Sequence, residues 1–330
     1  MSMYEPPYKI NDKIIFEISN IMNKIGNIES YQTLDRLPKL RKQNRIRSIY
    51  SSCAIEANSL SLNDVKDLIN GKTVVGSKEE ILEVKNAIKA YEIIENIDPY
   101  SLKDLLNEHK ILTTGLVDNA GTFRKNQEGV FDGEKCIFIA PPANMVVSLM
   151  ESLFAWINKN KTNIHPLILS CVFHYEFVFI HPFKDGNGRM ARLWHNALLG
   201  KFNPIFYWLP IENYIKDHQE DYYNAISKSH IEGESTEFIC FMLKMISEAL
   251  DKIKTDINLH VYHSSIYINR LLENMDENVP MTSNEIMLKL RIKSKETFRK
   301  NYLNPAIESG LVEFEIPDKP TSKNQRYIKK

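Results

Sequence analysis

Apolar residues recur at helical spacing over most of the chain. Ile81, Val84, Ile88, Tyr91 and Ile94 fall on one face of a helix. Val146, Leu149, Met150, Leu153, Phe154 and Ile157 fall on one face of another, which starts after Pro141-Pro142. Residues 172–180 are almost wholly apolar, the pattern of a buried helix, and they run into His181-Pro182. The residue before a proline is driven out of helical geometry, so this helix is predicted to stop near His181. The pattern resumes from Arg189 with Met190, Leu193, Ala197 and Leu198. Strand-like runs are few. Cys136-Ile137-Phe138-Ile139 lies between an Asp132-Gly133 turn and Pro141-Pro142 and reads as part of a short hairpin. The expected body is mainly α.

Residues 255–330 read differently. A short helical pattern covers 286–290. Ser294 is placed to cap a second helix over 295–309, ended by Gly310. Residues 311–316 alternate like a strand, 317–324 are rich in turn formers, and 325–328 can return as the partner. Helix, helix, hairpin is the order of a winged helix-turn-helix. Lys293, Lys295, Arg299 and Lys300 make the second helix basic, as DNA binding would need. Acidic residues share the segment, and such domains also serve as protein-docking or dimer modules, so DNA, a protein partner and a homodimer all stay open.

Composition narrows the picture. The chain has 330 residues, 43% hydrophobic, enough for a large core or two to three domains. Its 42 basic and 42 acidic residues cancel, so no global polycation points to nucleic acid. Four cysteines, Cys53, Cys136, Cys171 and Cys240, are scattered without metal-ligand spacing and read as reduced thiols of a cytoplasmic protein. Neither a signal-like start nor a run long enough to span a bilayer is seen, so no membrane partner is expected.

The chemistry is concentrated in residues 181–192, His-Pro-Phe-Lys-Asp-Gly-Asn-Gly-Arg-Met-Ala-Arg. Lys184-Asp185-Gly186-Asn187-Gly188 is expected as a tight loop, because glycine reaches positive φ at little cost and asparagine tolerates it. Consecutive amides in such a turn form an anion-binding concavity, and the following helix N-terminus adds favourable partial charge. Arg189 and Arg192 sit in the first turn, where cations oppose the dipole unless they face a polyanion. Three residues apart, they are expected on one side of the helix. Asp185 is a hard oxygen ligand suited to Mg²⁺, and His181 can accept a proton near neutral pH. The spacing supports a phosphate site with a base and does not choose the reaction. A metallohydrolase site of His165, His174 and His181 is disfavoured, because it leaves Asp185 and the arginines without a role.

The stretch resembles the signature of the Fic family, His-x-Phe-x-Asp/Glu-Gly-Asn-Gly-Arg-x-x-Arg, with every defined position matched. The resemblance implies transfer of AMP from ATP to a Ser, Thr or Tyr hydroxyl of a target protein. It implies His181 as general base, Asp185 as Mg²⁺ ligand, and Gly186, Asn187 and Gly188 as the anion hole. Arg189 and Arg192 would steady the β- and γ-phosphates, and Lys184 belongs to the same ATP-binding loop. Upstream, Ser52 and Glu56 match the family's inhibitory motif Ser/Thr-x-x-x-Glu-Gly/Asn, with Ala57 where Gly is usual. There Glu56 would occupy Arg192 bidentately and keep ATP unproductive. Gly121-Thr122-Phe123-Arg124 followed by Cys136, Ile137, Phe138 and Ile139 resembles the family's flap, whose edge would register a target segment by strand addition. Tyr222-Tyr223 resembles a tyrosine pair lining the adenine pocket.

By resemblance, residues 1–100 form a helical segment carrying the inhibitory helix, 101–250 the catalytic core, and 255–330 a winged helix-turn-helix common in bacterial members. Other readings stay open: a nucleotide-sensing transcription regulator, removal of AMP by the same site, transfer of another nucleotide, and self-modification.

Overall fold

The computed structural model describes residues 4–29, 38–127, 129–132, 135–308, 310–320, 322 and 324–329. Contacts divide the chain into two units, Met1–Asp251 and Lys252–Lys330. Both are mainly helical, with one small antiparallel sheet in each.

The first unit opens with α1 (Asp12–Glu29), which buries Ile14, Ile21, Ile25 and Ile28 on one face. Next come α2 (Pro38–Ile55), α3 (Leu62–Ile69), α4 (Lys78–Glu92) and α5 (Leu102–Thr113). Capping boxes fix two starts: Ser61 with Asp64 for α3, and Ser77 with Glu80 for α4. The expected hairpin follows as β1 (Gly129–Asp132) and β2 (Lys135–Ile139), antiparallel, with a register shift at Val130/Phe131. Its Gly133 lies outside the described residues.

Helices α6 (Val146–Asn160), α7 (Pro166–Ile180) and α8 (Asn187–Phe202) form the centre. Every residue of α7 from Leu167 to Phe177 is buried, as its unbroken apolar run requires. It packs along α8, which is itself buried from Arg189 to Gly200. Helices α9 (Ile211–Asp217) and α10 (Gln219–Glu232) close over this pair, and α11 (Thr236–Glu273) follows. Among the described residues no helix is long and apolar enough to cross a membrane.

In the second unit β3 (Met281–Thr282) leads into α12 (Ser283–Lys289), then α13 (Lys295–Thr297), a π-helical turn over Phe298–Leu303, α14 (Asn304–Glu308), β4 (Val312–Phe314) and β5 (Arg326–Lys329). Strand order is β3-β5-β4. Ser294 caps α13 through the Thr297 amide, and Gly310 takes φ 72°. The second helix is interrupted by the π turn rather than continuous, and Ser309 lies outside the described residues. Leu271, Ile286, Phe298, Tyr302, Ala306, Val312 and Tyr327 make the core.

Candidate nucleotide site

Helix α7 ends where proline demands, with the His181 amide donating to Phe177 O at 3.0 Å. His181 itself is left-handed (φ 51°, ψ 58°), a costly conformation for a non-glycine residue and one of only a few among the described residues. The loop from Phe183 is closed by Asn187: its Oδ1 accepts the Phe183 amide at 2.9 Å and its Nδ2 donates to Phe183 O at 2.8 Å. Gly186 takes φ 82°, and a Cβ there would stand 2.9 Å from Thr113 Cγ2. Only Gly186 is left-handed, however. Asn187 and Gly188 already belong to α8, so the loop expected over Lys184 to Gly188 ends at Gly186 and gives way to a helix start. No side chain caps that start, which leaves first-turn amides open to an anion.

Two residues from other elements hold this loop. His109 of α5 stacks on Phe183 with ring centroids 3.5 Å apart. Its Nδ1 accepts the Gly121 amide at 2.9 Å, so Nε2 carries the proton and donates to Asp185 O at 2.9 Å. Burial depresses its pKa to about 4, so it is neutral at pH 7. Arg124 is buried and donates to carbonyls: Nε to His181 O at 2.7 Å, Nη1 to Asn126 O at 2.9 Å, and Nη2 to Pro141 O at 2.6 Å and Ile180 O at 3.3 Å. It ties the base of the hairpin to the turn that carries His181. Sequence reasoning assigned no role to His109, and quoted Arg124 only within the hairpin pattern.

The two arginines of α8 face different carboxylates. Arg189 Nη1 lies 2.6 Å from Glu83 Oε1, and its Nη2 lies 3.0 Å from Asp185 Oδ2. Arg192, fully buried, donates from Nη2 to Glu56 Oε1 at 2.7 Å and to Ser52 O at 2.8 Å, and from Nε to Ser52 Oγ at 3.2 Å. The expected bidentate pair is thus replaced: one Glu56 oxygen meets the guanidinium, and Ser52 accepts from it twice more. Gly188 makes room for this, since a Cβ there would collide with the Glu56 carboxylate. Glu83 is a further residue that no local pattern announced.

Glu56 is delivered by the end of α2. The Asn58 amide donates to Cys53 O and the Ala57 amide to Ala54 O, the paired bonds of a Schellman stop. That motif puts the residue after Glu56 in the left-handed region, and Ala57 has φ 65°. The usual Gly at this position is therefore a backbone requirement that Ala meets with strain. Asn58 then fixes the exit, donating to Glu83 Oε2 at 2.6 Å and accepting the Leu60 amide at 3.1 Å.

Burial, with Arg124 nearby, lowers the pKa of His181 from its ordinary value. Asp185 is half-exposed, and Lys184 is exposed beside it. Tyr222 is buried, its hydroxyl 3.0 Å from His174 Nε2, so of the tyrosine pair only Tyr223 presents its ring to solvent. His174 is a core residue. On the hairpin, Ile139 is 68% exposed and Phe138 stacks on His230 at 4.3 Å. Cys136 and Ile137 lie in β2, and their side chains lie outside the described residues. Cys53, Cys171 and Cys240 are buried free thiols. Among the described residues no group of three or more His, Cys, Asp or Glu side chains is arranged to hold a metal.

Residues 99–199 match the Fic/DOC family, and residues 267–328 match the domain described as "Filamentation induced by cAMP protein Fic-like, C-terminal domain". A crystal structure of a Fic family protein from Desulfovibrio desulfuricans G20 superposes with TM-score 0.74 at 40% identity, covering 99% of this chain and 98% of that one. The chain belongs to the Fic family. A Fic domain containing signaling protein from Bacteroides thetaiotaomicron VPI-5482 shares the fold, with TM-score 0.61 at 22% identity over 70% of this chain and 95% of that one. The protein adenylyltransferase Fic of Culex quinquefasciatus is 32% identical over 238 residues, 68% of this chain and 45% of the relative. The chain therefore spans under half the length of the curated relatives it matches. Family membership carries the mainly helical Fic fold with it, in agreement with the periodicity of the sequence.

Proposed function

We propose that this Fic protein transfers AMP from ATP to a hydroxyl side chain of a target protein, and that Glu56 restrains the transfer. The observation that carries the reading is the convergence of His181, an uncapped helix start and two buried arginines on one loop. The relatives named protein adenylyltransferase Fic support AMP as the transferred group. In the step itself, the target oxygen forms a bond to the α-phosphorus. The bond from that phosphorus to the pyrophosphate oxygen breaks, and the hydroxyl proton passes to His181. A depressed pKa keeps His181 neutral and able to take that proton at pH 7.

The amides of Asn187 and Gly188, joined by that of Gly186 once it is released from Asp185 Oδ1 (2.6 Å here), hold the phosphates with Arg189 and Arg192, and Lys184 lies at their edge. Tyr223, rather than Tyr222, offers a surface for the base. Asp185 suits Mg²⁺, which takes one or two carboxylates plus phosphate oxygens and waters rather than a protein cage. A half-exposed carboxylate beside an open helix start fits that donor set. The ion would neutralise charge on the phosphates when bound.

The contact between Glu56 and Arg192 places a carboxylate where the γ-phosphate is read to go. The edge of β2 around Ile139 is the docking edge for a target segment, and residues 255–330 form a winged-helix docking module. In the test, the chain is incubated with α-labelled ATP and Mg²⁺. Glu56→Gly should label itself or a target well above the unaltered chain, and Glu56→Gly with His181→Ala should not. Absence of label on a folded Glu56→Gly chain that binds ATP would refute the reading. Parallel runs with UTP and GTP identify the nucleotide.

A further inference from the structure

A buried carboxylate lies behind the restraint. Glu212, in α9, is 1% exposed. Its Oε1 accepts from Tyr91 Oη at 2.6 Å and from Asn196 Nδ2 at 2.6 Å, and its Oε2 accepts from Ser48 Oγ at 2.7 Å. An ionised carboxylate only accepts, and three donors from three helices converge on this one. Burial pushes its pKa up, while the Tyr91 and Ser48 hydroxyls and the nearby Arg192 pull it back.

The spacing gives the cluster its meaning. Ser48 and Ser52 are four apart on α2, with Glu56 four further on just past its end, and Arg192 and Asn196 are four apart on α8, so each set forms a single stripe. The stripes meet twice. Ser48 and Asn196 are bridged by Glu212, and Ser52 with Glu56 meets Arg192 directly. Tyr91 also lies within electrostatic reach of Ser52 and Arg192, which brings the two meetings close together.

The geometry points to Glu212 as the positioning residue of the restraint: it pins α2 to α8 one turn before Ser52 and two turns before Glu56, and so sets how firmly Arg192 is withheld from phosphate. This rests on the proposed reading of the site, in which free Arg192 is the active form. Glu212 touches neither substrate nor reacting atoms in that reading. It acts through Ser48 and the helix that follows.

Glu212→Gln keeps the shape of the side chain but removes the charge and puts an NH₂ where Oε2 accepts from Ser48, so that charge-assisted bond is lost or turned round into a weaker neutral one. Labelling from ATP should rise about tenfold when this change is made in the unaltered chain, the scale of a typical coupling between sites. In a Glu56→Gly background the same change should alter labelling by less than about twofold, because no restraint is left to loosen. Ser48→Ala should give a smaller rise with the same dependence on background. An equal rise in both backgrounds, or none in a folded protein, overturns the proposal. The Arg192 Nε–H resonance supplies a readout independent of transfer: in Glu212→Gln its exchange with solvent should quicken, and an unchanged signal overturns the proposal as well. If Glu56→Gly itself transfers no label, the AMP reading fails, and that resonance alone decides the role of Glu212.

Discussion

At the scale of single residues, backbone geometry explains choices that composition leaves opaque. Ala57 holds φ 65° where the Schellman stop asks for glycine. A left-handed alanine costs about 1–2 kcal/mol, and glycine gives back part of that through its freer unfolded chain. Ala57→Gly should therefore gain roughly 0.5 kcal/mol, read as a higher urea midpoint. A lower midpoint would show that Ala57 is unstrained. His181, Asp185, Gly186, Arg189 and Arg192 were legible in the sequence because they lie within one turn and the helix start after it. Glu83, His109 and Glu212 were not, because packing brings them from α4, α5 and α9, and none sits in a local pattern that chemistry alone would flag. Tyr222 and Tyr223 are adjacent in sequence, yet one is core and the other surface, a difference set by which side of α10 faces Phe238.

At the scale of elements, the hairpin and the His181 turn are one construction through Arg124. Removing that side chain leaves several carbonyls without their donor. Arg124→Ala should cost about 3 kcal/mol, the sum expected for a few such losses. Amide exchange should quicken in β1 and β2 more than in α7, and equal change in both would deny the hairpin's dependence on Arg124. Helix periodicity located α4, α6, α7 and α8 because their apolar stripes are long. The break of the second helix at the π turn over Phe298–Leu303 was not legible, since a π turn adds one residue without changing which residue types are apolar. Ser294 and Gly310 marked the ends of that region correctly because caps are local chemistry.

At the scale of the whole molecule, buried ionisable groups set the pH response. His109 and His195 are pushed down to about 4, and His174 well below its ordinary value, all chiefly by burial. These rings stay neutral in the fold but take protons when unfolded below pH 6.5. The unfolded state then binds more protons, so stability is full above 6.5 and is lost as pH falls toward 4. Glu108 and Glu176, raised to about 7 by burial, work the other way, keeping protons in the fold that the unfolded chain has released above 4.5. With His165, His181 and His230 also lowered, and Glu83 and Glu212 also raised, the shifted histidines outnumber the shifted carboxyls between pH 6.5 and 4.5. Each net proton is worth about 1.4 kcal/mol per pH unit. The melting temperature should drop from pH 7 to pH 5, and a rise over that range would contradict these assignments.

The claim on which the functional reading turns is that Arg192 is withheld from nucleotide by Glu56 until transfer is allowed. The most direct measurement counts pyrophosphate released and AMP bound to protein in the same reaction with ATP and Mg²⁺. Glu56→Gly should produce the two in equal amounts and much faster than the unaltered chain. Equal rates in the two proteins would contradict the restraint, and pyrophosphate without protein-bound AMP would contradict the transfer.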